Sequence, residues 1–158
     1  MIGDDFLYKL IVVDDEQLIR NGLARNIDWA GLNMQVVGCF EDGQDALDYL
    51  KDNPVDDILT DVKMYNVTGL DIAQYVQQHT PETIVVIISG FREFDFAREA
   101  MRFGVSDYLL KPLDPDEILN TFKQIEKKLD QKRENGNQLE FTQLPSNQKL
   151  LDSILLGN

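Results

Sequence analysis

The stretch Ile58-Leu59-Thr60-Asp61-Val62-Lys63-Met64 is a short apolar run with one aspartate near its end, and Gly69 follows before the next helical pattern. An acid in such a position is most often solvated or caps a helix. Three other apolar runs, however, also end in chemically active side chains. They are residues 10–13 before Asp14 and Asp15, residues 84–88 before Ser89, and residues 108–110 before Lys111. We therefore expect the four strand ends to converge, with Asp61 as the nucleophile among them.

Strand-like and helix-like patterns alternate along the chain up to about residue 132. Near-continuous apolar runs predict five strands, and apolar residues at helical spacing between them predict five helices. Five βα units in this order predict an α/β fold, a doubly wound parallel sheet with the flavodoxin-like strand order 2-1-3-4-5. Such sheets bind ligands outside the carboxyl ends of the strands, where the strand order reverses. Here that place lies between Asp14-Asp15 and Asp61.

Several helix boundaries can be predicted from local signals. Thr68 and Asp71 resemble a capping box, and Gly104 predicts the end of helix 4. Asp114 before Pro115 predicts the start of helix 5, which we expect to continue to about residue 132. Helix 1 is expected to carry an apolar stripe formed by Leu18, Ile19, Leu23 and Ile27. Helix 4 is expected to carry one formed by Phe94, Ala97 and Met101.

The composition changes after the fifth helical pattern. We predict a domain over residues 6–132, and a linker with the start of a truncated output region over residues 133–158. Residues 134–137 are expected to break helix 5, and Ser146 to begin a last short helix with leucines and an isoleucine between residues 150 and 155. That apolar face packs back on the domain, pairs with a second copy, or begins a domain that is cut away. The third interpretation is favoured.

Composition restricts the classes of function. The chain has 158 residues with 15 basic and 28 acidic side chains, a formal net charge of -13, so we expect this fragment to bind no nucleic acid. No apolar run is long enough for a membrane helix, and the start lacks the positive region of a signal peptide. The single cysteine, Cys39, favours a cytoplasmic location and is interpreted as a small residue near a strand end.

Three carboxylates at one sheet edge predict a cation. Pairs of them about 5 Å apart repel by roughly 3 kcal/mol at an effective dielectric near 20. An open set of hard oxygen ligands suits Mg²⁺, with Asp15 and Asp61 binding directly together with one backbone carbonyl, and Asp14 through a water. Zinc is disfavoured because the only histidine, His79, is expected on the surface between a helix and a strand.

Mg²⁺, a lysine and a hydroxyl around one carboxylate are the groups needed for phosphoryl transfer to that carboxylate. An aspartate can act as the nucleophile and form an acyl phosphate. We expect Mg²⁺ to hold one phosphoryl oxygen, the Lys111 ammonium a second, and the Ser89 hydroxyl a third. None of these residues is specific alone, but the ordered set of four strand ends is.

At these positions the sequence resembles response-regulator receiver domains of two-component signal transduction. The resemblance covers about residues 6–130 and rests on four motifs: Val12-Val13-Asp14-Asp15-Glu16, Leu59-Thr60-Asp61-Val62-Lys63-Met64, Ile88-Ser89-Gly90 and Tyr108-Leu109-Leu110-Lys111-Pro112. It implies that Asp61 accepts phosphate from the phosphohistidine of a sensor histidine kinase. It also implies a phosphoacceptor that catalyses only its own phosphorylation and dephosphorylation, and is not otherwise an enzyme.

The resemblance assigns further roles. Lys63 would give its backbone carbonyl to Mg²⁺, and the bond between Lys111 and Pro112 would be cis. Tyr108 matches the switch aromatic whose rotamer follows Ser89, although an aromatic that simply packs on an edge strand fits the sequence too. Family habit implies a homodimer through the face formed by helix 4, strand 5 and helix 5.

A finer resemblance is to receivers joined to AraC-type helix-turn-helix output domains. It rests on Arg20 with Gly22-Leu23, on Ile27-Asp28-Trp29 with Gly31, and on Ser89-Gly90-Phe91 with Glu93-Phe94. It implies that the full-length protein is a DNA-binding transcription regulator. Trp29 fits equally well as an anchor for the connection after helix 1.

The sequence departs from the family at Tyr65, where proline is usual after the methionine. We expect altered Mg²⁺ affinity or phosphate lifetime from this change. A degenerate receiver that acts as a phosphorylation-independent interaction or dimerisation module is therefore the main alternative. A flavin-binding module is disfavoured because Asp14 and Asp15 would repel its phosphate. A haloacid-dehalogenase-type phosphatase is disfavoured because Lys63 occupies the place of its second acid.

Overall fold

The computed structural model describes residues 6–64, 66–90 and 94–142. Five parallel strands form one sheet in the order β2-β1-β3-β4-β5, which confirms the predicted fold class and strand order. The strands are β1 (Tyr8–Val13), β2 (Met34–Phe40), β3 (Asp57–Asp61), β4 (Ile84–Ser89) and β5 (Asp107–Leu110). The helices are α1 (Gln17–Arg25), α2 (Gly43–Asp52), α3 (Gly69–His79), α4 (Phe94–Met101) and α5 (Pro115–Thr142), with a short 3₁₀ turn at Ala30–Leu32.

The chain divides into two compact units, Met1–Ile125 and Glu126–Asn158. The first contains the sheet and its helices. Of the second, the described part is the continuation of α5 to Thr142. The last predicted helix, over residues 146–155, and Tyr65 lie outside the described residues. No helix in the described ranges is both long and apolar enough to cross a membrane.

Successive residues of each inner strand face opposite sides of the sheet, and both sides are buried. One side belongs to a cluster that includes Ile11, Ile58 and Val85 together with apolar residues of α2 and α3. The alternate residues of β1, β3 and β4 are buried as well, and so are Ile118, Phe122 and Ile125 of α5. The sheet is thus covered on both faces, which leaves its carboxyl edge as the open end.

Trp29 anchors the connection between α1 and β2. It is 5% exposed, and its ring meets Phe122 edge-on with the centroids 4.9 Å apart. Its indole N–H donates a hydrogen bond to the carbonyl of Leu23 at 2.8 Å. A buried indole needs such a partner, so these contacts show how Trp29 fixes the end of α1.

The local helix signals are confirmed. Thr68 and Asp71 form a reciprocal capping box at the start of α3. Gly104 takes a φ of 77° after α4, a conformation that other L-residues adopt only with strain. Asp114 accepts a hydrogen bond from the N–H of Asp116 at 2.9 Å, and α5 begins at Pro115 as predicted.

The predicted end of α5 was wrong. The helix does not stop near residue 132 but continues through residues 134–137 to Thr142. An internal glycine costs a helix only about 1 kcal/mol relative to alanine. The good helix formers Glu134, Gln138 and Leu139 flank Gly136 and oppose that cost.

Two residues of the predicted apolar stripes lie on the surface instead. Leu18 is 87% exposed, because five residues of helix place it about 140° around the axis from the buried Leu23. Met101 is 49% exposed, while the preceding Ala100 is fully buried. The side chains of Phe94 and Ala97 are outside the described part of α4.

Asp57, at the amino end of β3, is a buried carboxylate. It is fully buried, and no hydrogen-bond donor of the described residues reaches either oxygen of its carboxyl group. Burial, with a smaller effect from Asp56, raises the pKa of Asp57 well above its usual value. The folded state therefore holds this proton at pH values where the unfolded chain has lost it.

This arrangement predicts a specific pH dependence of stability. Since the folded pKa is raised, the free energy of unfolding falls as the pH rises above about 4. Asp57→Asn removes the ionisation and should stabilise the protein at pH 7 by about 1–3 kcal/mol, with a smaller gain toward pH 4. Urea unfolding between pH 4 and 8 measures this. The exposed-site control Glu41→Gln should show no such trend, and an unchanged slope in Asp57→Asn would contradict the prediction.

Candidate functional site

Asp14 follows β1 and is fully buried. Its backbone N–H donates to the carbonyl of Phe40 at 3.0 Å, which continues the pairing with β2. One oxygen of its carboxylate accepts the N–H of Glu16 at 2.9 Å, and its carbonyl accepts a hydrogen bond from the Arg20 guanidinium at 2.8 Å. Asp15 next to it is exposed. The β1–α1 connection thus holds one acid inside and turns the other toward solvent.

Asp61 ends β3 and is 4% exposed. It lies opposite Ile88 in the neighbouring strand, and the N–H of Val62 then donates to the carbonyl of Ile88 at 2.9 Å. Behind it, the N–H of Gly69 donates to the carbonyl of Val62 at 2.9 Å. These hydrogen bonds fix the loop that carries Asp61 against the start of α3.

Lys111 directly follows β5 and reaches back over the sheet edge. Its backbone N–H donates to the carbonyl of Ser89 at 2.9 Å, and its bond to Pro112 is cis. The ammonium nitrogen lies 3.0 Å from Glu16 Oε1, 3.3 Å from Asp61 Oδ2 and 3.6 Å from Asp14 Oδ2. The Lys111 ammonium therefore contacts carboxylates from the β1–α1 connection and from the end of β3.

Ser89 and Tyr108 lie on the two strands farthest from β2. Ser89 ends β4 opposite Leu110, so it shares the sheet edge with Asp61, and its buried hydroxyl has no hydrogen-bond partner among the described residues. Tyr108 is half-buried opposite Ile87 and packs against the core cluster. Tyr108 therefore packs as an aromatic residue on an edge strand, the plainer of the two interpretations given above. Its role as a switch stays a prediction.

Four acids can offer oxygens to one cation. Carboxylate oxygens of Asp14, Asp15, Glu16 and Asp61 lie within 4.8 Å of one another. Within the described residues, Asp14 Oδ2 is buried without a hydrogen-bond donor, and its one charged neighbour given above is the Lys111 ammonium at 3.6 Å. Hard oxygens around an open side are the ligands that Mg²⁺ takes. The residues present therefore fit a magnesium ion, with the exposed Lys63 two positions after Asp61.

Burial and charge act in opposite directions in this site. Burial raises the pKa of Asp14, while the N–H of Glu16 and the charge of Lys111 oppose that rise. Burial lowers the pKa of Lys111, but its hydrogen bond with Glu16 and the charges of Asp61 and Asp14 outweigh that effect and raise it above the usual value. Lys111 therefore stays protonated, and its positive charge offsets part of the repulsion among the acids.

The remaining residues singled out by the sequence lie away from this edge. His79 is exposed at the end of α3, stacked on Tyr75 with the ring centroids 4.3 Å apart. Cys39 is exposed on β2, near the end of that strand. Neither joins the acids.

Two further residues join the site that the sequence patterns did not predict there. Glu16 belongs to the first motif, and its carboxylate makes the shortest contact with the Lys111 ammonium. Arg20 belongs to the finer resemblance, and its guanidinium donates a hydrogen bond to the carbonyl of Asp14. The signal for Glu16 was its place directly after two acids at a strand end. The signal for Arg20 was its place one helical turn after Glu16.

The sheet order, the acids at its switch point and the lysine after β5 define a receiver-type domain. The chain belongs to the response regulator receiver domain family, whose model matches residues 10–123. It is 37% identical to the receiver domain of AraT, a response regulator from Geobacillus stearothermophilus, with a TM-score of 0.77 over 81% of this chain and 99% of that one. A two component transcriptional regulator AraC from Clostridium phytofermentans is 30% identical, with a TM-score of 0.72 over 78% of this chain and 96% of that one.

Curated relatives are longer than this chain. The uncharacterized transcriptional regulatory protein YesN of Bacillus subtilis is 34% identical over 75% of this chain and 32% of its own length. The transcriptional regulatory protein HptR of Staphylococcus aureus is 27% identical over 84% of this chain and 52% of its own length. The chain thus spans about a third to a half of the relatives it matches.

Gly69 gives a test of how tightly the Asp61 loop is packed. A Cβ at this position would overlap the carbonyl oxygen of Asp61 and lie 2.9 Å from the Cα of Val62. Gly69→Ala should therefore destabilise the protein by about 1–3 kcal/mol and displace the loop. Gly22→Ala is the matched control, since a Cβ there meets only Asn26 at 3.8 Å and should stabilise α1 by about 0.5–1 kcal/mol. Urea unfolding of both variants checks the opposite signs, and equal effects would contradict this packing.

Proposed function

We propose that the chain is the phosphoacceptor part of a transcription regulator, phosphorylated on Asp61 by a sensor histidine kinase in a reaction that needs Mg²⁺. The observation that carries the proposal is the Lys111 ammonium, 3.3 Å from the Asp61 carboxylate at the sheet edge where the other acids meet. A nucleophilic carboxylate beside a fixed cation is the minimum that phosphoryl transfer requires.

In this proposal an oxygen of the Asp61 carboxylate forms a bond to phosphorus while the bond from phosphorus to the donor breaks. The donor atom, a histidine nitrogen of the kinase, keeps the electron pair. Lys111 and Ser89 then donate hydrogen bonds to phosphoryl oxygens. Bound Mg²⁺ supplies charge neutralisation for the phosphoryl group. In hydrolysis a water oxygen binds phosphorus while the bond from phosphorus to the Asp61 oxygen breaks, which releases phosphate and restores the carboxylate. The protein thus catalyses only its own phosphorylation and dephosphorylation.

The hydroxyl of Ser89 supports its role as a phosphoryl ligand. It is fully buried and its oxygen has no hydrogen-bond partner within the described ranges. A buried hydroxyl without a partner costs free energy that a new acceptor would recover. Movement of Ser89 toward the phosphoryl group, followed by the Tyr108 ring, is the switch we propose. Asp14 and Asp15, with the Lys63 carbonyl, complete the proposed magnesium ligands.

The proposed output is control of transcription through an AraC-type DNA-binding domain that continues after Asn158. The names of the relatives support this, since YesN and HptR are transcriptional regulatory proteins of which this chain matches only part. The net charge of -13 fits a regulatory fragment that leaves DNA contact to the other domain. We place the protein in the cytoplasm, where the exposed thiol of Cys39 would stay reduced.

Intact mass spectrometry with acetyl phosphate and Mg²⁺ tests the proposed chemistry. The parent protein should gain one phosphoryl group, and Asp61→Asn or an excess of EDTA should abolish the gain. Asp57→Asn is the matched control, because it changes the same residue type four positions earlier on the same strand and should be labelled normally. No gain in the parent would overturn the proposal and favour the phosphorylation-independent interaction module.

A homodimer through the face of α4, β5 and α5 is the second part of the proposal. Phe96 and Met101 of α4 and Leu110 of β5 are 41%, 49% and 46% exposed, so both elements present large apolar side chains to solvent. Burying them against a second copy would remove apolar surface from water.

Light scattering with and without acetyl phosphate and Mg²⁺ tests this dimer. Phosphorylation should shift the parent protein toward the dimer mass. Met101→Lys should weaken the dimer by placing a charge in the contact. Leu18→Lys, which makes the same kind of change at an exposed apolar residue on α1, should not. A parent protein that stays monomeric under both conditions would rule this interface out.

A further inference from the structure

The Lys111 ammonium hydrogen-bonds Glu16 and Asp61 and forms an ion pair with Asp14, and these acids differ in burial. Asp14 is fully buried and Asp61 is 4% exposed, whereas the Glu16 side chain is 60% exposed. The exposed acid nevertheless makes the shortest contact, 3.0 Å against 3.3 Å for Asp61 and 3.6 Å for Asp14. Lys111 is therefore held from the solvent side as well as from the site.

The backbone of Glu16 is fixed where this contact is made. Its N–H donates to the Asp14 carboxylate at 2.9 Å, and its carbonyl accepts the N–H of Arg20 at 2.9 Å as α1 begins. The side chain then needs to order only its own rotamers to reach Lys111. A fixed backbone keeps a partly exposed ion pair in one geometry at less entropic cost than two free side chains would have.

We infer that Glu16 restrains Lys111 and competes with the incoming phosphoryl group for the ammonium. The inference rests on the proposed phosphorylation of Asp61. Lys111 has three N–H donors, and all the carboxylate oxygens near it are acceptors that a phosphoryl oxygen must displace or join. Of the acids that contact Lys111, Glu16 alone is largely exposed, and it is not among the ligands proposed above for Mg²⁺.

The restraint acts on the step that forms the acyl phosphate. With acetyl phosphate, an Asp61 oxygen binds phosphorus while the bond from phosphorus to the acetyl oxygen breaks, and acetate leaves with the electron pair. The negative charge of the phosphoryl oxygens needs the Lys111 ammonium at that moment. As long as Glu16 holds the ammonium, part of that stabilisation is missing, and phosphorylation is slower than the site would otherwise allow.

The test is Glu16→Gln, which keeps the shape and the acceptor oxygen but removes the charge. At saturating Mg²⁺, its initial rate of phosphorylation by acetyl phosphate should rise about two- to fivefold, the range for loss of one partly exposed ion pair. The control Glu41→Gln removes the same charge after β2, outside the acids around Lys111, and should leave the rate unchanged. The increase should persist at high salt, which screens long-range attraction of the donor but affects a contact pair less.

A second measurement separates this role from a merely structural one. In Mg²⁺-free protein the ¹⁵N signal of the Lys111 ammonium, assigned by its loss in Lys111→Met, should shift in Glu16→Gln and stay in place in Glu41→Gln. A rate in Glu16→Gln that is unchanged or lower, while the parent is phosphorylated on Asp61, would overturn the inference alone. A parent protein that gains no phosphate would instead overturn the proposed function.

Discussion

The contact on which the site depends is the ammonium of Lys111 beside the buried carboxylates of Asp14 and Asp61. Two acids at the carboxyl edge of the sheet repel each other, and burial makes their ionised forms more costly still. One lysine brings a compact charge on a long stem to both of them, from a strand that is not adjacent to either. The fold can therefore keep two carboxylates buried at its carboxyl edge, because one cation lies beside both.

The parallel sheet makes this contact possible. All five strands end at one edge, and the order β2-β1-β3-β4-β5 places the end of β1 directly beside the end of β3. Backbone pairing then sets the heights, since Asp61 lies opposite Ile88 and Ser89 lies opposite Leu110. Asp14 and Asp61 are 47 positions apart in sequence. Their carboxylates lie close together because the register of the strands brings the ends of β1 and β3 side by side.

The features predictable from the sequence are those set by local chemistry and by topology. Strand order follows from alternation and handedness, and the capping box at Thr68 and the left-handed Gly104 follow from backbone needs. The errors arise where a residue's environment depends on tertiary packing. Leu18 fits a helical apolar pattern yet faces solvent, and Gly136 is a helix breaker in isolation yet lies within α5. The contact of Glu16 with Lys111 could not be predicted, because it depends on where a side chain from 95 residues away comes to rest.

Asp57 and Asp61 show why burial alone does not identify a functional acid. Both lie on β3, on the same side of the sheet by strand alternation, and both are buried. Asp61 ends at the open edge beside a cation and other acids, whereas Asp57 lies at the opposite end of the strand with no hydrogen-bond donor of the described residues on either oxygen. At Asp61 the Lys111 ammonium, 3.3 Å from one carboxylate oxygen, offsets part of the cost of a buried negative charge. At Asp57 no hydrogen bond from the described part of the chain offsets that cost, and burial raises the pKa of this carboxyl well above its usual value. These two identical side chains therefore differ in their surroundings, because the lysine that follows β5 contacts Asp61 at the open edge of the sheet.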